Sequence, residues 1–164
     1  MDILSSAAWW FLPFALPICL YVCYTDLSRM KITNVAVLAL ALVFALVGLI
    51  ALPFESYLWR YTHLLSVLAA GIALNAAGAL GAGDAKFAAA AAPFIHIGDL
   101  QIVLAIFAVM MLAAFVAHRI ARATALRRLA PHWESWSSGS RFPMGLALGP
   151  TLAVYLGLGA LYGA

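Results

Sequence analysis

The sequence predicts an all-α integral membrane protein with about six transmembrane helices. Of its 164 residues, 66% are hydrophobic and only 9% are charged, whereas a soluble domain carries about 25% charged residues. The apolar stretches are continuous rather than alternating, which favours helices over a membrane β-barrel. Because a spanning helix needs about 20 apolar residues, the chain has room for about six spans. We therefore expect one membrane-embedded domain over residues 1–164.

Six apolar segments, separated by short polar or turn-forming connections, make up most of the chain. They cover residues 7–24, 35–52, 61–80, 84–95, 101–120 and 142–162. Trp9 and Trp10 lie at the outer end of the first segment, where aromatic rings suit the membrane–water interface. The fourth segment is rich in alanine and too short to span unaided, so we expect it to be buried among other helices.

The basic residues predict an orientation for these segments. If the N-terminus is outside and the segments alternate, eight of the nine lysine and arginine residues fall on the inner side, and only Arg60 falls outside. This distribution fits the positive-inside rule, so the main polar loops are expected to be cytoplasmic. The positive charge is thereby explained without a nucleic-acid partner. The inner residues are Arg29, Lys31, Lys86, Arg119, Arg122, Arg127, Arg128 and Arg141.

One extended polar stretch, residues 119–141, contains five arginines and the pair Trp133 and Trp136. Such a composition favours a segment that continues the fifth helix and then lies on the lipid headgroups. Contact with a substrate is the alternative interpretation.

Two aspartates stand out because charged groups at membrane depth are costly and are functional candidates by default. Asp26 lies in the sequence YTDLSR, residues 24–29, and Asp84 lies in GAGDAK, residues 81–86. The predicted orientation brings both to the cytoplasmic side. Two adjacent carboxyl groups share a proton, so that one can activate water while the other protonates a carbonyl oxygen. The pair therefore predicts an aspartic hydrolase site.

Other interpretations remain open at this point. Asp84 could be the N-cap of a helix, and Asp26 could form an interfacial ion pair with Arg29. The two acids could also belong to a membrane protein that conducts protons or a solute, or to a purely structural subunit. Gly81 and Gly83 would suit a backbone with positive φ or the close approach of another chain.

No metal and no other cofactor is expected. Cys19 and Cys23 are four residues apart in an apolar segment, where free buried thiols are favoured over a disulfide or a metal site. The four histidines lie on different segments without the spacing of metal ligands. They are His63, His96, His118 and His132.

Three motifs in order resemble those of the type IV prepilin peptidases. The first runs from Asp26 through Arg29 to an Ile-Thr-Asn triplet, residues 32–34, in which Thr33 replaces the usual proline. The second is GAGDAK, which matches the GxGDxK pattern of that family. The third, residues 141–147, resembles the Pro-x-Gly entry to the last helix. The similarity extends over nearly the whole chain, and its compact size resembles the short branch that serves Flp/Tad-type pili.

The resemblance implies an aspartic endopeptidase with Asp26 and Asp84 as the catalytic pair. Gly81 and Gly83 would shape the site, and Lys86 and Asn34 would support it. The cysteine-bearing cytoplasmic insertion of the long bifunctional branch is missing, so N-methyltransferase activity is not expected.

The resemblance also implies a substrate and a location. The substrate would be a prepilin with a hydrophobic N-terminal helix, cleaved after a glycine that directly precedes this helix. The enzyme would be a multi-pass protein of the bacterial inner membrane, surrounded by lipid, with its active site facing the cytoplasm.

Overall fold

The computed structural model describes residues 1–139 and 141–164. All regular elements of these residues are helical, which confirms the predicted all-α class. The α-helices are α1 Ser5–Arg29, α2 Asn34–Ala51, α3 Phe54–Ala76, α4 Ala82–Ala91, α5 Leu100–Ala123 and α6 Gly145–Tyr162. Short 3₁₀ turns occupy Ala92–Phe94, Ile97–Asp99, Ala125–Leu129 and Glu134–Trp136.

Four of these helices are long and apolar enough to cross a membrane, counted over the part of the chain that the structure describes. They are α1, α2, α5 with the turn before it, and α6. Helix α3 has 23 residues but contains Arg60, His63 and Asn75, which lower its hydropathy. Helix α4 has only 10 residues, or about 15 Å. These four helices support the predicted class of all-α membrane protein. Four of the six predicted spans therefore meet the criteria of length and composition.

The connections between helices gather at two opposite ends of the bundle. At one end, which we call the Asp99 end, the Asp99 carboxylate accepts hydrogen bonds from the backbone N–H groups of Asp2 and Ile3 at 2.8 and 3.0 Å. Ser5 and Ala164 are also joined there by a backbone hydrogen bond of 3.0 Å. At the other end, the Asp84 end, Lys86 approaches the start of α2 and the beginning of α6 approaches the end of α1.

Several helix starts differ from the sequence-based boundaries, and α6 begins at Gly145 instead of residue 142. Helix α3 begins at Phe54 instead of residue 61, because Pro53 precedes a first turn whose Glu55 suits the positive helix N-terminus. Helix α4 begins at Ala82 instead of residue 84, so the GAGDAK motif lies largely inside the helix. The Thr33 hydroxyl accepts a hydrogen bond from the Ala36 N–H at 3.3 Å and so caps the start of α2.

The arginine-rich stretch folds back on the Asp84 end. Helix α5 continues to Ala123, as expected, and the turns that follow bring Trp136 onto His118 with 5.2 Å between ring centroids. Trp133 stacks on Trp136 at 5.7 Å and meets the edge of Tyr24 at 6.2 Å. The tryptophans therefore pack against α1 and α5.

Glycines of α6 let this helix lie directly against α1. A Cβ at Gly149 would lie 2.7 Å from the Cys19 carbonyl oxygen, and a Cβ at Gly145 would lie 2.9 Å from the Asp26 side chain. In a membrane, such close packing is a main source of helix association. Lipid tails are as apolar as the helix surfaces, so the hydrophobic effect does not drive the helices together. The α1–α6 contact thus depends on the absence of side chains at these positions.

We predict that Gly149→Ala destabilises the protein, because the added methyl group meets the α1 backbone and overpacking costs about 1–3 kcal/mol. The measurement is thermal unfolding of the detergent-solubilised protein, with Tm expected to fall by roughly 2 °C or more. Gly157→Ala is the matched control, since a Cβ there has no neighbour within 4 Å. Equal Tm values for the two variants would contradict the close α1–α6 contact.

Candidate active site

Asp26 lies near the C-terminal end of α1 and is almost completely buried, with 5% of its surface exposed. Helix α1 does not end before this residue, as the sequence suggested, but continues to Arg29 and ends at Met30, whose φ of 50° is left-handed. Asp26 Oδ2 accepts a hydrogen bond of 2.6 Å from the backbone N–H of Gly145, the first residue of α6. This contact joins two helices whose residues are 119 positions apart.

Asp84 lies in the first turn of α4 and is half-buried. The N-cap of this helix is Gly81, which has no side chain to cap it, so Asp84 is not the N-cap considered above. The ion pair considered for Asp26 and Arg29 is likewise not formed, although both residues are described. Neither of these two structural roles accounts for the aspartates.

Gly81 and Gly83 permit close approach rather than an unusual backbone. Gly81 has a φ of −66°, and the glycines with positive φ in the described residues are Gly78 and Gly139. A Cβ at Gly83 would lie 3.3 Å from the Cβ of Ile32, and a Cβ at Gly81 would overlap the Asp84 carboxylate. A positive φ is therefore not adopted at either glycine. The missing side chains instead leave room for Ile32 and Asp84 of the same chain, and the approach of a substrate chain stays a prediction.

Lys86 and Asn34 are joined by a side-chain hydrogen bond. The Lys86 ammonium donates to Asn34 Oδ1 at 3.2 Å. Asn34 is the first residue of α2 and Lys86 lies one turn into α4. The two predicted supporting positions thus hold the connection between α1 and α2 beside the GAGDAK motif.

A cavity of about 770 Å³ at the Asp84 end includes both aspartates in its wall. It is formed by the α1–α2 connection, the α3–α4 connection and the entry to α6. Every predicted site residue lines this cavity. Lys31 and Arg141, which were not among the predicted site residues, line it as well. The residues concerned are Asp26, Asn34, Gly81, Gly83, Asp84, Lys86, Lys31 and Arg141.

The two carboxyl groups are close enough to influence each other electrostatically. Burial raises the pKa of Asp84, which lies outside the four spanning helices, to about 6, and the negative charge of Asp26 contributes to this rise. The backbone N–H of Gly81 acts in the opposite direction and lowers the pKa. Asp84 therefore holds its proton closer to neutral pH than an ordinary aspartate, whose pKa is about 3.9.

Sequence reasoning missed two contributions to the site. Gly145 was noted as part of the motif that begins the last helix, but its N–H bond to Asp26 requires the tertiary packing of α1 on α6. Asn75, at the end of α3, donates from its side-chain amide to the Leu80 carbonyl at 2.7 Å and closes the turn before the motif. A polar residue in an apolar helix was the available signal for Asn75.

Cys19 and Cys23 are free thiols, as expected. Among the described residues, no three histidine, cysteine, aspartate or glutamate side chains are grouped so that they could hold a metal ion.

Comparison with protein families matches residues 13–118 to the type IV leader peptidase family. The matched range contains both aspartates and confirms the resemblance that the motifs indicated. Comparison with curated proteins and with solved structures gave no match.

We predict that Asp26→Asn lowers the pKa of Asp84, because it removes the negative charge that contributes to the rise. The change should be partial, since burial is the larger cause. The measurement is a pH titration of the carboxyl infrared band, assigned to Asp84 by its loss in Asp84→Asn. Glu55→Gln, an exposed position near the Asp99 end, serves as the control and should leave the titration unchanged. An unchanged pKa in Asp26→Asn would show that the carboxyl groups do not interact.

Proposed function

The chain belongs to the type IV leader peptidase family, and we propose that it removes the leader of type IV prepilins as a membrane-embedded aspartic endopeptidase. Family membership makes it a peptidase with a prepilin as its substrate class. We propose in addition that the mechanism is aspartic, that Asp26 and Asp84 carry it, and that the substrate is a Flp/Tad-like prepilin. The observation that supports it most is that Asp26 and Asp84 line the same cavity.

Asp26 and Asp84 act as a proton-sharing pair in this proposal. The ionised carboxylate takes a proton from a water molecule, whose oxygen attacks the scissile carbonyl carbon. The protonated carboxyl group gives its proton to the carbonyl oxygen. The tetrahedral intermediate then collapses. The C–N bond breaks, the leaving nitrogen receives the proton that was taken from water, and one hydroxyl of the intermediate returns its proton to the other carboxylate, so that the pair again holds one proton. Because the groups are coupled, their protonation belongs to the pair rather than to one residue.

The hydrogen bond from Gly145 restricts where a proton can lie on Asp26. Oδ2 accepts the Gly145 N–H at 2.6 Å, so a proton on Asp26 belongs on Oδ1. The same bond fixes the orientation of the carboxyl group. Gly145 is thus a positioning residue for Asp26.

The substrate is a prepilin whose hydrophobic N-terminal helix follows the scissile bond, with cleavage after a glycine. Its leader must lie in the cavity in extended form, because an intact helix hides its carbonyl groups. Lys86, fixed to Asn34, supports the α1–α2 connection against this extended segment. N-methylation of the product is not part of the activity that we propose.

We further propose that residues 1–164 form one peptidase domain in the bacterial inner membrane, with the Asp84 end in the cytoplasm. Eight of the nine lysines and arginines lie in connections or near helix ends that this orientation places inside. The positive-inside rule favours that arrangement. The substrate leader would then reach the cavity from the cytoplasm.

The proposed activity predicts that the purified protein in liposomes shortens a Flp-type prepilin, and that Asp26→Asn and Asp84→Asn each abolish this processing. Immunoblotting and mass spectrometry of the product provide the measurement. Glu55→Gln should process the prepilin at the wild-type rate, which controls for the loss of a carboxylate as such. Processing by either aspartate variant at the wild-type rate would refute the catalytic pair.

The proposed orientation predicts that a C-terminal alkaline phosphatase fusion is active, because the C-terminus lies at the Asp99 end and therefore outside. A green fluorescent protein fusion at the same position should be dark. The reverse pattern would place the Asp84 end outside. In that case the green fluorescent protein fusion would fluoresce and the alkaline phosphatase fusion would be inactive.

A further inference from the structure

An apolar groove opens on the side of the bundle between α3 and α5, with α4 and α6 behind it. Its volume is about 430 Å³ and its walls are almost entirely apolar. We call it the lateral groove and define it by Ala70 and Leu74 of α3, Ala88 of α4, Leu104 and Phe107 of α5, and Leu148 of α6.

The lateral groove continues directly into the polar cavity of the candidate active site. Leu80, Asp84 and Met144 line both spaces. Asp84 is the charged residue at this junction. A peptide that extends from the polar cavity into the apolar groove would therefore pass beside the Asp84 carboxyl group, which lies where the two spaces meet.

The groove extends along α4 toward the Asp99 end, where Val103 and Tyr155 line it. Helix α4 has 10 residues and is about 15 Å long. A helix docked beside it would therefore contact the groove with about ten residues, or three turns. The floor contains Ala85, Ala88 and Ala91, and small side chains allow another helix to approach closely in a membrane.

We propose that the lateral groove is the docking site for the first three turns of the prepilin's hydrophobic helix, directly after the scissile bond. The proposal rests on the proposed function. The proposed substrate has a cytoplasmic leader followed by an apolar helix, and the site has a polar cavity followed by an apolar groove. Seating the helix in the groove holds the extended residues before it beside Asp84, so the groove fixes which peptide bond is cut.

Photocrosslinking tests this assignment. The Asp84→Asn protein, with p-benzoylphenylalanine at position 104, is incubated with prepilin in liposomes and irradiated. Leu104 lines the groove, whereas Leu42 of α2 does not, and both side chains are 57% exposed. A crosslink from position 104 to the prepilin helix, with none from position 42, is the expected result. Equal crosslinking at both positions, or crosslinks from position 104 only to lipid or to a second copy of the chain, overturns the proposal.

Filling the groove provides a kinetic test in the active protein. Leu104→Trp should lower kcat/KM for the full-length prepilin about tenfold, a change of about 1.4 kcal/mol, whereas Leu42→Trp should leave it unchanged. The thermal stability of both variants identifies any loss that is due to unfolding. If wild type cleaves, Asp84→Asn does not, and Leu104→Trp cleaves as wild type, the groove assignment fails while the peptidase function stands. If wild type does not cleave, the proposed function itself fails.

Discussion

The contact between the end of α1 and the beginning of α6 is the interaction on which the candidate site depends. Asp26 accepts the Gly145 N–H at 2.6 Å, and a Cβ at Gly145 would collide with Asp26 and crowd Val22. A buried carboxylate without such a donor would be strongly destabilising. The same glycine thus satisfies the carboxylate and permits the helix packing that buries it. Asp84 is then brought to the cavity by α4, which packs among α2, α3 and α6.

Much of the site could be predicted because its residues lie in short local motifs. Asp84, Gly83 and Lys86 belong to one hexapeptide, and a charge between glycines in an apolar chain is conspicuous. Lys86 and Asn34 are 52 residues apart, yet the charge distribution already placed their connections at one membrane face. The membrane face of each connection could be inferred because successive spans cross the membrane in alternating directions, and this depends only on the order of the segments.

The remaining features depend on tertiary packing. The role of Gly145 follows from a contact across 119 residues, and no local pattern predicts which helix N-terminus meets Asp26. The polar residues of α1 and α3 suggested helices that were too short, ending at residue 24 and beginning at residue 61, but Asp26 and Arg60 are buried inside continuous helices. Packing satisfies these polar groups, so the helices extend past them. The backbone at Gly81 could not be inferred either, because glycine permits both signs of φ.

The central claim is that Asp26 and Asp84 act as one catalytic unit. It is tested most directly by comparing processing rates in Asp26→Asn, Asp84→Asn and the variant with both substitutions. Groups that act as one unit have strongly non-additive effects, so removing either costs as much as removing both. The account predicts that each single variant processes prepilin as slowly as the double variant. A single variant that is clearly faster than the double variant would contradict it, because that aspartate would then work without its partner.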